Sequence, residues 1–538
     1  MKFYPMHLHL HCSHEPTASL SSHMSNAAAL GIRHFWTTEH DIRMGRRPKD
    51  VSEFSFPEKE LFVQLENGAK AGFKEEDGNT GTYAFEDGLE GITLRIRADE
   101  NESESLLFHS KGKRHSAPLF ARLCVDLDAD MIASAERGAR ITVSFILSAQ
   151  PPSYTQAELC YVYGELPTQQ ENMQFLPFPK KENGVYRFPL TKDASDEIGG
   201  VDNALCNIRL TVENGGEMVF RSLVFHRELN FQEVRAEQIK LAKRLGEKWG
   251  VVPFVGFEIS AAGNHKNCYS TKVPVIDYRE YDFQVSNEQA IAHVKKYGGI
   301  FSWNHPFTAA LKTGSGEETH EEMFDRVAQT LLENRVYGAS LMEVGFPFGR
   351  DGFAAKEYLR LWDYLSAGGV FITGVGDSDN HHAVAEGWTE MNNFCTVVGL
   401  YDDEEPSEQD LVRGLSRGSV WGGNPVKIRD FTFTANGAPQ GSIFCGESVE
   451  VAFSAKDIRC GGYALCVVNG QPIQRVEISS GAVSGVFTLH NTQKYNFARV
   501  EIYDEEGVLI AFSNPIYLVD DKRDVPLETI QSDRKVFE

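Results

Sequence analysis

Alternating histidines at the start of the chain constrain its fold more than any other feature. His7, His9 and His11 alternate with apolar residues within the segment Met6–His11. On a β-strand, residues two apart project to the same face, so the imidazoles share one face and the apolar side chains pack against a core. Neutral imidazoles on one face pack poorly and bind divalent metals well. A polyhistidine tag would be a continuous run, so the alternation predicts a strand that carries a metal site.

Five later segments rich in potential metal ligands lie on or at the end of predicted strands. They are Thr37–Asp41, Gly256–Ser260, Ser302–Pro306, Ser340–Val344 and Gly376–His381. The strands alternate with amphipathic stretches, among them predicted helices at Phe231–Trp249 and Ala355–Ala367, which is typical of a parallel α/β architecture. In α/β barrels the chemistry lies at the carboxyl ends of the strands, where these segments fall.

Taken in order, these segments resemble the motifs of the PHP (polymerase and histidinol phosphatase) superfamily of metal-dependent hydrolases. The family pattern is a His-x-His strand, a Thr-Asp-His, a Gly-x-Glu, a later His, a His-Pro and a Ser-Asp-x-His. The resemblance covers about residues 3–45 and 250–425, and the spacing from Glu258 to His265 is most similar to the branch that includes carbaryl-hydrolase-type enzymes. It implies an α/β fold built on a distorted (β/α)7 PHP-type barrel.

The resemblance also implies two or three divalent metal ions as cofactors. It assigns His9, His11 and Asp379 to the first metal, His265 and His305 to the second, Glu258 as the bridging carboxylate, and His40 and His381 to a third metal. Trinuclear relatives take one more histidine after the His-x-His. Here the nearest is His14, which follows His11 more closely than in those relatives, so both two and three metals stay open. Mn, Zn and Fe all suit this mixed set of nitrogen and oxygen ligands.

Three further residues are expected to support the ligands rather than to bind metal. His7 and Glu39 stand where the family carries aspartate, and each would orient a ligand ring by hydrogen bonding. The family places a glutamate such as Glu343 beside the site in a similar supporting role.

The expected nucleophile is a metal-bound water in its hydroxide form, with no side-chain nucleophile. A phosphate ester would need a cation in addition to the metals. Arg350 follows the Glu343 strand and Arg43 follows His40, so both are candidates, and Lys266 is a weaker third.

Composition excludes several classes of protein. The formal net charge of −23 does not favour a broad nucleic-acid-binding surface. No run of about eighteen apolar residues is present, so no membrane association is expected. The nine cysteines are scattered without a Cys-x-x-Cys pair, and the histidine strand leaves no room for a signal peptide. We therefore expect a cytoplasmic protein that acts on a small molecule.

Changes in sequence pattern predict the domain organisation. Residues 1–49 and 230–425 form the two parts of the barrel, and Val251–Ile259 is one of its strands. Short alternating runs over 50–229 predict an inserted β-sandwich, and those over 426–520 predict a C-terminal Ig-like β-sandwich. The charged residues 521–538 are expected to form a loosely ordered tail.

The functional prediction is a metal-dependent phosphoesterase that hydrolyses a small phosphate ester. Two alternatives stay open: a metal-dependent hydrolase of carboxylic or carbamate esters, and a non-catalytic metabolite- or carbohydrate-binding protein on a degenerate barrel. The two hydrolases share their ligands and differ in the pocket. The intact ligand set argues against the degenerate barrel, because a protein without metal gains nothing from burying these groups together.

Overall fold

The structure is a computed structural model, and it describes residues 1–12, 18–41, 51–55, 62–64, 70–75, 83–88, 91–110, 117–118, 122–133, 138–150, 155–198, 204–260, 264–282, 284–307, 318–345, 353–381, 395–401, 405–527 and 533–538. The strands in these ranges form four sheets, of 12, 15, 5 and 4 strands. None of the helices in these ranges has the length and apolar character needed to cross a membrane.

The chain begins with a strand, a helix and a second strand parallel to the first. These are β1 (Lys2–His7), α1 (Leu20–Leu30) and β2 (His34–Thr37). Helix α1 begins after Ser19, whose side chain accepts a hydrogen bond from the backbone N–H of Ser22. It ends at Gly31, whose φ of 69° lies in the left-handed region that glycine tolerates.

The segment predicted to be inserted forms a sheet system of its own. Its strands are β3 (Val51–Ser55), β4 (Phe62–Gln64), β5 (Lys70–Glu75), β6 (Tyr83–Gly88), β7 (Gly91–Arg97), β8 (Ser103–Ser110), β9 (Ala117–Pro118), β10 (Leu123–Ile132), β11 (Arg140–Gln150), β12 (Thr155–Tyr163), β13 (Met173–Pro177), β14 (Lys181–Glu182), β15 (Val185–Phe188), β16 (Ala204–Glu213) and β17 (Glu217–Arg227). Within the described ranges, these fifteen strands pair only with one another. Alternate residues of β11, namely Ile141, Val143, Phe145 and Leu147, lie in one apolar core together with part of α2 (Leu190–Glu197).

The second α/β part contributes to two different sheets. β18 (Val252–Val255) pairs with β2, and β24 (Cys395–Leu400) pairs with β1. The five strands between them form the separate sheet β19 (Phe257–Ile259), β20 (Lys266–Tyr269), β21 (Ile300–Trp303), β22 (Leu341–Gly345) and β23 (Thr373–Gly376). The helices of this part are α3 (Phe231–Trp249), α4 (Asn287–Lys296), α5 (His320–Glu333), α6 (Ala355–Ala367) and α7 (Glu408–Arg417).

Gly256 divides the strand that was predicted at Val251–Ile259. Its backbone N–H donates to the carbonyl of Thr37 over 2.8 Å, which ends the pairing of β18 with β2. A Cβ at this position would collide with the carbonyl oxygen of Cys268, so only glycine fits. The chain passes from the first sheet to the second at this residue.

The prediction of a (β/α)7 barrel is wrong. The chain is mostly β, with 44% strand and 24% helix, and the strands expected to close one barrel are split between two sheets. β20 is antiparallel to both of its neighbours, and β24 is antiparallel to β1, so the parallel repeat of a barrel is broken twice. β24 then pairs with β25 (Val420–Gly423), and the sheet continues into the C-terminal region instead of closing.

The C-terminal region packs a small sheet against this extension. Its remaining strands are β26 (Asp430–Ala435), β27 (Ala438–Pro439), β28 (Ile443–Cys445), β29 (Ser448–Lys456), β30 (Gly462–Val468), β31 (Gln471–Glu477), β32 (Val483–His490), β33 (Asn496–Asp504), β34 (Leu509–Ser513), β35 (Ile516–Val519) and β36 (Val536–Phe537). The sheet β27-β26-β29-β32 shares one apolar core with β33, formed in part by Phe433, Val451 and Leu489 on one side and by Val500 and Ile502 on the other.

The end of the chain, predicted as a loosely ordered tail, returns to the body of the protein where the structure describes it. β36 pairs in parallel with β28. The buried Arg534 explains this attachment, since its guanidinium donates to the carbonyl of Gly441 over 3.0 Å and to the Thr373 hydroxyl over 2.6 Å. A charged composition is therefore a poor guide to order in this segment.

A buried ion cluster joins α6 to β33, and it yields a stability prediction. The Arg499 guanidinium donates to both carboxylate oxygens of Asp363, over 2.9 and 2.7 Å, and also to Glu501. Arg499→Met leaves two largely buried carboxylates without this partner, so we expect a loss of about 3–5 kcal/mol in the free energy of unfolding. Arg523→Met removes an arginine that is 89% exposed and should leave the free energy of unfolding close to that of the parent protein. Denaturant unfolding of both variants measures the difference, and equal effects would contradict the assignment.

Candidate metal centre

Backbone hydrogen bonds bring the ligand-bearing segments together beyond the ends of the strands. The segment after β1 lies beside the segment after β23, because the N–H of His11 donates to the carbonyl of Asn380 over 2.9 Å. The segment after β2 lies beside β19 in the same way, through the N–H of Glu258 and the carbonyl of Glu39, also over 2.9 Å. These contacts place the side chains of the predicted motifs in one buried region.

The first group of candidate ligands consists of His9, His11 and Asp379. The Nε2 atoms of the two histidines are 3.1 Å apart, and each lies 3.1 Å from Oδ1 of Asp379. Tetrahedral ligands at metal–nitrogen distances of about 2.0–2.1 Å would stand roughly 3.3 Å from one another, so the spacing fits a shared ion. All three residues are buried, and burying such groups together is costly unless a cation is held between them.

Glu258 lies at the centre of the remaining ligands. Its Oε1 is 3.0 Å from Nδ1 of His265 and 3.5 Å from Nε2 of His305, while its Oε2 is 2.5 Å from Nδ1 of His40. Its Oε1 also lies 3.2 Å from Nε2 of His9, a member of the first group. The two carboxylate oxygens therefore face different sets of imidazoles, which is the arrangement that a bridging carboxylate needs.

A third group is formed by His11, His40 and His381, whose ring nitrogens can offer one ligand atom each within 4.8 Å of one another. His11 thus belongs to two groups, and because a neutral imidazole offers one lone pair, it can serve only one of them at a time. His14 lies outside the described residues. His381 donates from Nδ1 to its neighbouring carbonyl at Asp379 over 2.8 Å, in the tautomer that leaves Nε2 available as a ligand.

Glu343 holds two of the candidate ligands in place. Its Oε1 accepts from Nδ1 of His9 over 2.6 Å, so Nε2 is the ring nitrogen of His9 that faces the first group. Its Oε2 accepts from the backbone N–H of His305 over 2.6 Å. Glu343 is fully buried and therefore has the geometry of the supporting residue that the sequence predicts.

The protonation of the buried groups follows from burial and from their neighbours. Burial, together with the imidazoles of His381 and His40, lowers the pKa of His11 well below its ordinary value, which favours the neutral ring. Burial raises the pKa of Glu258, but the nearby imidazoles outweigh it and hold the pKa well below the ordinary range, so the carboxylate is ionised. Burial and the Glu343 carboxylate raise the pKa of Asp377 well above its ordinary value, which favours its protonated form.

Two of the candidate ligands have a strained backbone. His305 has a φ of 23° and Asp379 a φ of 47°, both in the left-handed region that favours glycine. Such conformations persist only where the surrounding structure enforces them, and they cluster at functional sites. The hydrogen bond from the His305 N–H to Glu343 is one of the contacts that enforce this geometry.

Several supporting residues were not predicted from the sequence. The Ser260 hydroxyl donates to Oε2 of Glu258 over 3.0 Å and lies 2.7 Å from Nδ1 of His40. The Asn304 amide donates to Oε1 of Glu258 over 3.0 Å. His23 on α1 donates from Nε2 to the carbonyl of His11 over 2.9 Å, and burial lowers its pKa to about 4, so its ring stays neutral. Ser260 and Asn304 each adjoin a predicted motif, whereas nothing in the sequence around His23 indicates its role.

The other predicted site residues have different placements. His7 is buried at the end of β1, and Oε1 of Glu39 accepts from the backbone N–H of Cys12 over 2.7 Å, so Glu39 supports the loop that follows His11. Arg43 and Arg350 lie outside the described residues. Lys266 is fully buried, its Nζ is 4.8 Å from the centre of the Trp303 ring, and burial lowers its pKa to about 7.

One segment of the sequence has the pattern of a nucleophile elbow, the strand-to-helix turn that presents a nucleophilic serine. Residues Gly414–Gly418 have the form Gly-x-Ser-x-Gly, with Ser416 at its centre. A nucleophile elbow requires a sharp turn from strand to helix, but Ser416 lies in the last turn of α7. The pattern therefore does not create a nucleophile here.

Comparisons with known proteins do not identify a family. No protein-family model matches the chain, and no curated protein matches it. Among solved structures, the catalytic domain of Humicola grisea Cel12A is 10% identical, with a TM-score of 0.19 over 27% of this chain and 85% of its own. A family 11 carbohydrate-binding module from Clostridium thermocellum is 11% identical, with a TM-score of 0.18 over 32% of this chain and 96% of its own. Neither likeness supports a functional assignment.

Replacing Glu258 tests the centre directly. Glu258→Ala removes the carboxylate that faces both sets of imidazoles, so we expect it to lose metal affinity by more than the roughly 10–100-fold that loss of a supporting residue costs. Elemental analysis of the purified variant measures the bound metal. Glu237→Ala on α3, whose partner is Lys240, serves as the control and should retain the metal content of the parent protein. Full metal content in Glu258→Ala would exclude the bridging role.

Replacing Glu343 tests whether this residue positions the candidate ligands His9 and His305. Glu343→Gln keeps the size of the side chain but leaves one oxygen to accept from two donors, at His9 and His305. We expect metal affinity to fall roughly 10–100-fold while the fold is retained. Competition with a chromogenic chelator measures the affinity, and Glu237→Gln serves as the matched control. An unchanged affinity at an unchanged melting temperature would contradict the role of Glu343.

Proposed function

We propose that this protein is a metal-dependent phosphoesterase with two or three divalent ions bound by the centre described above. The observation that carries the proposal is the spacing of His9, His11 and Asp379, whose ligand atoms lie 3.1 Å from one another in a buried site. The motif resemblance to the PHP superfamily supports the choice of hydrolysis as the reaction. Within this resemblance, we propose a small phosphate ester as the substrate.

The candidate ligands fit divalent ions that accept both nitrogen and oxygen donors. Six of the candidate ligands are imidazoles and two are carboxylates: His9, His11, His40, His265, His305, His381, Glu258 and Asp379. Imidazole suits Zn, Fe and Cu, and carboxylate suits Mn and Mg, so a mixed set suits Mn, Zn or Fe. When bound, these ions would supply activation of water near neutral pH and stabilisation of the negative charge that develops on the substrate.

The side chains of the protein prepare the site for that chemistry. Glu258 holds its two oxygens toward opposite sets of imidazoles, and Ser260 and Asn304 fix its orientation through hydrogen bonds. Glu343 fixes the tautomer of His9. Because these groups are positioned before substrate binds, little reorganisation is needed during the reaction. No step in this scheme requires a nucleophilic side chain.

Hydrolysis of a carboxylic or carbamate ester would use the same ligands. The described residues include one cation close to the centre, Lys266, and it is buried and donates to the carbonyl of Asn264. The choice between the two ester classes therefore rests on the substrate assay.

Metal removal and substrate choice test the proposal together. We expect treatment with a chelator to abolish hydrolysis, and Mn, Zn or Fe to restore it. A panel of phosphate mono- and diesters beside aryl carboxylic and carbamate esters should show turnover of the phosphate esters. His265→Ala should lower the rate because it removes a ligand beside Glu258, whereas His293→Ala on α4, whose ring bonds the carbonyl of Pro274, should not. Turnover of carboxylic esters alone would replace the proposal, and metal binding without any turnover would favour a binding protein.

A further inference from the structure

A cavity with several charged lining residues lies at the opposite end of the first sheet from the candidate metal centre. Its volume is about 120 Å³, and its walls come from β24, α7 and the end of the chain. Leu400 on β24 lines it and pairs with Lys2, whereas the candidate ligands follow the other end of β1 at His7. At about 3.3 Å per residue, the seven positions from Lys2 to His9 separate the two sites by roughly 20 Å.

The described lining of this cavity is cationic in a strongly acidic protein. It contains Arg413, Arg417 and Lys535 against the single carboxylate of Asp410. Nη1 of Arg413 lies 3.6 Å from Asp410, but both side chains are more than a third exposed, so this pair is weakly held. The chain as a whole has a net charge of −23, so the lining reverses the charge of its surroundings.

The two arginines repel each other unless an anion lies between them. Arg413 and Arg417 are four residues apart on α7 and therefore share one face of the helix, where like charges destabilise. Lys535 approaches the same cavity from the end of the chain. Three cations from two different elements converge on one enclosed volume, which is the arrangement that binds a phosphate group.

Two buried polar atoms in the lining have no protein partner among the described residues. One is Nε of Arg417, which is a hydrogen-bond donor. The other is Oε1 of Gln440, a residue that is only 5% exposed. Buried polar groups are nearly always paired, so both atoms are candidates to bond a ligand or a water molecule after a small side-chain rotation. Rotation of the Gln440 amide by half a turn exchanges its acceptor for a donor.

We propose that this cavity binds a small phosphate-bearing anion, either inorganic phosphate or the phosphate group of a small organic ester. Arg413, Arg417 and Lys535 would supply the charge, and Gln440 would add a hydrogen bond. The volume exceeds that needed for one water several-fold, so a small anion fits. The site is separate from the metal centre and does not depend on the proposed phosphoesterase activity.

Calorimetric titration of the full chain with inorganic phosphate, at constant ionic strength, tests this site. Phosphate could also bind at the metal centre, so the titration is done in both the parent protein and Glu258→Ala. We expect Glu258→Ala to keep one phosphate site. Arg413→Gln and Arg417→Gln should each weaken binding about tenfold or more, because each removes a charge-assisted contact. Arg475→Gln, an exposed arginine on β31 outside the cavity, should leave the affinity unchanged.

The outcomes separate the possibilities. Absence of phosphate binding at millimolar concentration in Glu258→Ala, or unchanged binding in both arginine variants, overturns the proposal and leaves the arginines as charges that stabilise the end of α7. Because Arg413 is 46% exposed, its variant should fold even if Arg417→Gln does not. A parallel titration with glycerol 3-phosphate distinguishes free phosphate from the phosphate group of an organic ester. Tighter binding than inorganic phosphate indicates an organic ester. Equal or weaker binding indicates free phosphate.

Discussion

The position of the Glu258 carboxylate is the constraint on which the candidate metal centre depends. Its backbone N–H bonds the carbonyl of Glu39, and its side chain is buried among imidazoles that come from three other segments. Nδ1 of His265 and Nδ1 of His40 lie on opposite oxygens of the same carboxylate. A shift of one residue in this register would turn Glu258 to the other face of β19 and remove the common partner of both sets. Gly256 makes this register possible, because the glycine lets the chain pass from the first sheet to the second just before Glu258.

Burial of so many polar groups is costly, and the structure shows how that cost is offset. Burial and the Glu343 carboxylate raise the pKa of Asp377 well above its ordinary value, which disfavours a further negative charge there. The neighbouring imidazoles outweigh burial and hold the pKa values of Glu258 and Asp379 well below their ordinary range. Although burial lowers the pKa of His9, the surrounding carboxylates raise it well above its ordinary value, so a proton on this ring offsets part of the cost, and a bound cation would do the same.

The sequence predicted local features well and sheet closure poorly. The helices Phe231–Trp249 and Ala355–Ala367 have the predicted bounds, because amphipathic periodicity is a local property. The alternation predicted one strand with His7, His9 and His11 on a single face, whereas β1 ends at His7 and only the ring nitrogens of His9 and His11 come together, at 3.1 Å. Barrel closure depends on which distant strands exchange hydrogen bonds, and no local pattern showed that β24 would run antiparallel to β1. The roles of Ser260 and His23 were missed because each depends on a contact with a residue far away or in another element.

The division into two sheets explains why the ligands converge even though no barrel closes. Two isolated bridges join the sheets at the site, one between Leu10 and Asn380 and the other between His40 and Glu258. Each bridge joins a segment that follows a strand of the first sheet to a segment on or after a strand of the second. The candidate ligands therefore lie where the two sheets meet, and ions bound there would join the sheets. In a closed barrel, hydrogen bonds between neighbouring strands would hold these segments together. Here, contacts among the side chains of the candidate ligands also contribute to joining the two sheets.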